Sequence, residues 1–143
     1  MPLHLSQVFA ILLPMSKKPS EWFTQGYYDM DTADYMFEGK RYVYAIFMCH
    51  LSIEKTLKGL YQGILKEVPP NTHSLLFLLE KIELDLPQEL YDFVFTLNRV
   101  SVPARYPDDL AKIIKEFDRK KTKEILTKGK EVLEWLKAMS EKQ

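Results

Sequence analysis

A single cysteine, Cys49, stands among the 143 residues. One thiol excludes an internal disulfide and every multi-cysteine zinc site, and it points to a reducing compartment. No run of about 20 apolar residues occurs, which excludes a membrane span. Neither charge is in excess: 20 Lys+Arg meet 20 Asp+Glu. The balance holds on each side of Pro70, with 7 against 7 before it and 13 against 13 after it. A general phosphate-backbone binder normally carries a basic surplus, so that class is not favoured. The phosphate loop G-x-x-x-x-G-K-[ST], the dinucleotide fingerprint G-x-G-x-x-G, the zinc motif H-E-x-x-H and the nucleophile elbow G-x-S-x-G are all missing. His4, His50 and His73 are too scattered for metal-ligand spacing, so no metal is expected.

What is present is the composition of one ordinary globular domain. Hydrophobic residues are 46% and charged residues 28%, near the averages of about 45–50% and about 25%. Residues 1–14 are apolar and lack Lys and Arg, and the basic pair Lys17 and Lys18 follows them. A secretory signal has the opposite order. Residues 1–19 are expected to be an N-terminal extension outside the core, with the domain at 20–143.

The periodicity is helical throughout. Ser20 is a candidate N-cap, and Phe23, Tyr27, Met30, Ala33 and Phe37 mark one face of a first helix. Asp29, Asp31, Asp34 and Glu38 are assigned to its other face, and Gly39 to its end. A long second helix spans 41–66, with Tyr42, Ile46, Cys49, Ile53, Leu57, Leu60 and Ile64 as its main stripe. It is apolar enough to be buried on more than one side. Val68, Pro69, Pro70 and Asn71 stop it. A short third helix is expected over 73–82, capped by Asn71 or Thr72. A fourth opens at Pro87 and ends at Val102 and Pro103, and one or two helical turns follow at 110–117. Asp118 caps a last helix that reaches about Met139. The fold class is all-α: an up-and-down four-helix bundle with a short additional helix.

Two polar groups interrupt this pattern. His50, Glu54 and Lys58 stack at i, i+4 and i+8 on the apolar second helix, with Lys55 beside them. Two readings are open: a solvent-facing stripe, or a polar groove in which Lys58 receives an anion and Glu54 holds it in place. The second group is the loop Ala104, Arg105, Tyr106, Pro107 and Asp108. Its guanidinium suits phosphate and its phenol could stack on a base. Alternatively, Tyr106 packs internally and Arg105 pins a helix end. Near the C-terminus, Arg119, Lys120, Lys121, Lys123, Lys128 and Lys130 face only Glu124, as either a solvated face or an RNA-docking surface.

Taken in order, several short motifs resemble the HEPN domain family (higher eukaryotes and prokaryotes nucleotide-binding). They are Trp22, Asp29-Met30 and Ala33; the turn Gly39-Lys40-Arg41 and Ala45; and Glu54-Lys55-x-Leu57-Lys58. Thr72-His73-x-Leu75, the loop Ala104 to Asp108, and Leu133, Trp135 and Leu136 complete the set. The resemblance implies a cytoplasmic homodimeric bundle that binds a nucleotide such as ATP or GTP. It also implies a minimal nucleotidyltransferase as partner in a toxin–antitoxin module. The nucleotide-binding candidates are Arg105, Tyr106, Lys58, Glu54, His73 and Lys55.

Many HEPN proteins are metal-independent ribonucleases with an Arg followed four to six residues later by a His. Here no His follows Arg99 or Arg105, and eight residues separate Arg41 from His50. Whether the chain is an enzyme is therefore open, and RNA binding has no motif behind it. The alternatives are a divergent ribonuclease using His73 and Arg105, and a non-catalytic dimer that docks a partner.

Overall fold

The structure is a computed structural model that describes residues 17–104 and 110–142. Its described elements are six helices: α1 (Pro19–Glu38), α2 (Tyr42–Leu65), α3 (Leu75–Ile82), α4 (Gln88–Ala104), α5 (Leu110–Glu116) and α6 (Arg119–Ser140). No strand occurs among the described residues. The described chain is all-α, with four long helices and two short ones, the second short helix lying where the sequence places one or two helical turns, at 110–117.

Helix α2 is the axis of the fold and touches all five other helices. Its sequence explains why. Ile46, Cys49, Ile53, Leu57 and Leu60 are fully buried along one stripe, and Val43, Ala45 and Tyr61 widen it. A surface helix buries about one third of its circumference, whereas this one must be covered on several sides. Leu75, Leu78, Val94, Leu97, Val132 and Leu136 close over it from α3, α4 and α6. Each fully buried aliphatic side chain contributes about 1.5–3 kcal/mol.

Helices α1 and α2 form a hairpin with an unusually close seam. A Cβ on Gly26 would lie 2.3 Å from Thr56 Oγ1 and 3.0 Å from the Ser52 carbonyl. The absence of that atom lets Ser52 Oγ donate to the Gly26 carbonyl at 2.6 Å. This seam corrects one expectation. Asp29, assigned to the polar face, is buried against α2, because the close approach puts it within reach of Lys55.

Helix ends also differ from the expected pattern. Helix α1 starts at Pro19 rather than after Ser20, with Lys18 as cap residue. The Lys18 backbone N–H donates to Glu21 Oε2 at 3.0 Å. Gly39 caps its end with φ −80°, and the left-handed residue is Lys40, at φ 62°. Helix α3 begins at Leu75, so His73 precedes it. Its cap is Ser74, which accepts from Phe77 N, instead of Asn71 or Thr72. Helix α4 continues to Ala104, since the missing N–H of Pro103 removes only one bond from the last turn. Asp118 caps α6 as expected, accepting from Lys121 N at 2.9 Å.

Candidate functional site

The stripe on α2 is not solvent-facing. His50, Glu54 and Lys58 are all buried, although each is polar or charged. Helical spacing aligns them, and the packing of neighbouring helices then removes them from water. Burying a charge costs several kcal/mol unless it is paired. Glu54 supplies the pairing. Its Oε2 accepts from Lys58 Nζ at 3.2 Å, and its Oε1 lies 3.0 Å from His73 Nδ1. His50 Nδ1 is 3.9 Å from the same Oε1, an electrostatic contact only when that ring is protonated.

His73 reaches this carboxylate from the connection between α2 and α3. Two anchors hold that connection. Thr72 Oγ1 accepts from Ser74 N at 3.1 Å, and Asn98 Oδ1 of α4 accepts from Leu75 N at 2.8 Å. The second bond satisfies an N–H at the start of α3 and ties the loop end to the core. The His73 side chain is 63% exposed, so it is the part of the cluster that solvent or a ligand meets. Since a carboxylate can only accept, the Nδ1 nitrogen carries the proton in this bond. In the neutral ring, Nε2 is then left as an acceptor, in the orientation of a general base.

Lys55 does not join this cluster. One residue further round the helix, its Nζ lies 2.7 Å from Asp29 Oδ2 on α1. A third lysine lies nearby. Lys17 Nζ donates to Gln25 Oε1 at 2.6 Å and sits 4.4 Å from the centre of the Trp22 ring. Burial lowers the pKa of Lys17, the positive charge of Lys55 lowers it further, and Asp29 opposes both. Lys58 Nζ is 5.8 Å from the same Trp22 ring. The indole is fixed by its own N–H, which donates to Gln62 Oε1 at 2.9 Å. Trp22 therefore brings Lys17 and Lys58 towards one aromatic ring by cation–π attraction.

The structure thus brings Glu54, Lys58 and His73 together and places Lys55 in a separate pair. Arg105 and Tyr106 lie outside the described residues. Sequence reasoning missed Lys17, Asp29 and Gln62 as members of the surroundings. The only local signal was Gly26 on an otherwise bulky helix face, which marks a close approach without saying what it brings together. The basic run on α6 is partly neutralised within the molecule. Lys128 pairs with Glu89 and Glu131, Lys130 pairs with Asp34, and Arg119 lies over the Phe37 ring. Among the described residues, no group of three His, Cys, Asp or Glu could hold a metal. No described helix is long and apolar enough to cross a membrane.

The comparisons agree with this architecture. A solved structure of TT1696 from Thermus thermophilus superposes with a TM-score of 0.73 at 24% identity, covering 84% of this chain and 96% of that one. The archaeal HEPN homologue ST0689 superposes with a TM-score of 0.68 at 25% identity, covering 86% of this chain and 98% of its own. No curated protein matches the chain. The HEPN domain profile matches residues 19–139, from the first turn of α1 to the last turn of α6. With that match over most of its length, the chain belongs to the HEPN domain family.

Proposed function

We propose that this chain is a nucleotide-binding HEPN protein, acting as a cytoplasmic homodimer with a minimal nucleotidyltransferase in a toxin–antitoxin module. The supporting observation is the Glu54 carboxylate, which holds a buried ammonium and an exposed imidazole in one cluster. Lys58 supplies positive charge from a site with little water, where electrostatic attraction is stronger than at the surface. His73 presents a ring edge to the ligand. By the family resemblance, Arg105 would contact phosphate and Tyr106 would cover the base.

Calorimetric titration with ATP and GTP tests this reading. Saturable binding is expected. His73→Ala and Arg105→Ala should each weaken it by about tenfold or more, as loss of a charge-assisted hydrogen bond does. Nucleotide affinity unchanged in both folded variants would remove the cluster and the loop from the site. Co-purification with a minimal nucleotidyltransferase encoded beside the gene tests the partner.

A second reading is favoured by one observation. The Glu54–His73 bond orients an exposed imidazole as carboxylate–histidine pairs do in general-base catalysis. It supports a divergent metal-independent ribonuclease. That reading requires RNA cleavage in the presence of a chelator, abolished by His73→Ala.

A further inference from the structure

A cavity of about 310 Å³ opens where the α1–α2 turn meets α5. It shares no residue with the Glu54 cluster. Its walls are apolar and aromatic: Tyr42, Val43 and Tyr44 from α2, Leu110 and Ile114 from α5, and Phe117 just beyond α5. Among the described residues, its only charged lining groups are Lys40 and Arg41, both exposed and both cationic. Neither side chain makes an ion pair or hydrogen bond to a described residue. Elsewhere in the molecule, Lys55, Lys58, Lys128 and Lys130 each have a carboxylate partner.

The local backbone maintains this arrangement. Lys40 takes a left-handed conformation, where glycine is the usual residue. The Arg41 N–H donates to the Met36 carbonyl at 2.8 Å and the Lys40 N–H to the Phe37 carbonyl at 3.0 Å. The turn is therefore tied to the end of α1, and both cations project from one fixed hairpin. Behind it, the rings of Phe37 and Tyr42 pack with centroids 5.7 Å apart, which steadies one wall. Val43 and Phe117 are buried, whereas Ile114 is 56% exposed and Tyr44 52% exposed at the mouth. Apolar walls with a few charged groups at the rim are the usual make-up of a small-molecule pocket, and the volume falls at the lower end of that class.

We propose that this pocket binds a small amphipathic anion, with its apolar body against Tyr42, Val43 and Ile114 and its acidic group on Lys40 and Arg41. Charge complementarity selects the ligand: among the described residues, two cations and no carboxylate line the cavity. The size of the cavity limits the body to about two or three aromatic rings or a short chain. A large polyanion is disfavoured, because the apolar wall would stay uncovered.

The probe for the test is anilinonaphthalene sulfonate, an aromatic monoanion that fluoresces when sheltered from water. Titrated into the purified full chain, it should bind saturably at one site. Arg41→Ala and Ile114→Asp each change an exposed side chain, so both variants should keep the helical circular dichroism and melting temperature of the parent. Each should weaken binding about tenfold or more. The uncharged parent amine, N-phenylnaphthylamine, should bind more weakly than the sulfonate, and excess ATP should not displace the probe. Binding unchanged in both folded variants, or no preference for the sulfonate over the neutral amine, overturns the proposal. So does failure of the probe to bind saturably.

Discussion

Glu54 and His73 are bonded across 3.0 Å although they stand 19 residues apart in the chain. The other oxygen of the same carboxylate holds Lys58. One buried group thus secures both a helix face and the connection to the next helix. The three partners are unequal, since Glu54 and Lys58 are buried and His73 is mostly exposed. Glu54→Leu should be the costliest change, at roughly 3–5 kcal/mol, because it leaves Lys58 buried without its carboxylate. His73→Ala should cost less than about 1 kcal/mol. Adding Lys58→Met to Glu54→Leu should recover most of the loss, because buried pairs are often replaceable by apolar groups of similar volume. Urea unfolding of the four proteins checks this order. Glu54→Leu as mild as His73→Ala would show that the cluster is not held by its carboxylate.

Helices α2 and α6 meet where Cys49 fits against a glycine. A Cβ on Gly129 would lie 2.3 Å from Cys49 Sγ. Gly129→Ala should therefore destabilise by about 1–3 kcal/mol, despite the better helix propensity of alanine. In a Cys49→Ala background the obstacle is gone, and the same substitution should become neutral or stabilising. Thermal melts of the single and double variants read this change of sign directly. An equal cost in both backgrounds would place the strain elsewhere.

The same thiol gives stability a pH dependence. Burial pushes the pKa of Cys49 up to about 12 from its ordinary 9.0. The folded state thus keeps a proton that the unfolded chain releases. This contribution is fully present below about pH 9, the unfolded value, and is lost as pH rises towards the folded one. The slope approaches about 1.4 kcal/mol per pH unit. The pKa of Tyr27 is also raised, by burial and then by Glu134 and Glu141, and acts in the same direction. Melting temperatures between pH 8 and pH 11 should fall less steeply in Cys49→Ala than in the parent. Parallel slopes would remove the thiol from the effect.

Two further helices end on left-handed residues that are not glycine. Lys66 has φ 58° and Glu83 has φ 59°. Such a residue costs about 1–2 kcal/mol relative to its right-handed form, and glycine escapes the penalty. Glu83 also puts a negative charge at the C-terminus of α3, where the helix dipole disfavours it. Glu83→Gly should stabilise by roughly 1 kcal/mol. Lys66→Gly should gain less, because it removes a favourable charge. Denaturant midpoints rank the two, and a loss of stability in Glu83→Gly would mean that its side chain has a role these contacts do not show.

The sequence alone determined the helical class, the order of the helices and most of the core. These follow from local geometry: a period of 3.6 residues puts Ile46, Cys49, Ile53, Leu57 and Leu60 on one stripe whatever lies elsewhere. The Asp118 cap was legible for the same reason, since it acts on a backbone N–H three residues away. The motifs from Trp22 to Trp135 also sufficed to suggest the family. Only the tertiary structure decided the environment of the polar residues. The spacing of His50, Glu54 and Lys58 fits a wet face as well as a buried one, and the helices packed around α2 selected burial. Asp29 was assigned to solvent by its own helix and reached the interior through the Gly26 seam. Lys55 and Lys58 are three residues apart, yet one pairs across to α1 and the other along α2. Periodicity places a side chain on its own helix, but its partners come from segments distant in the chain, and packing sets their approach.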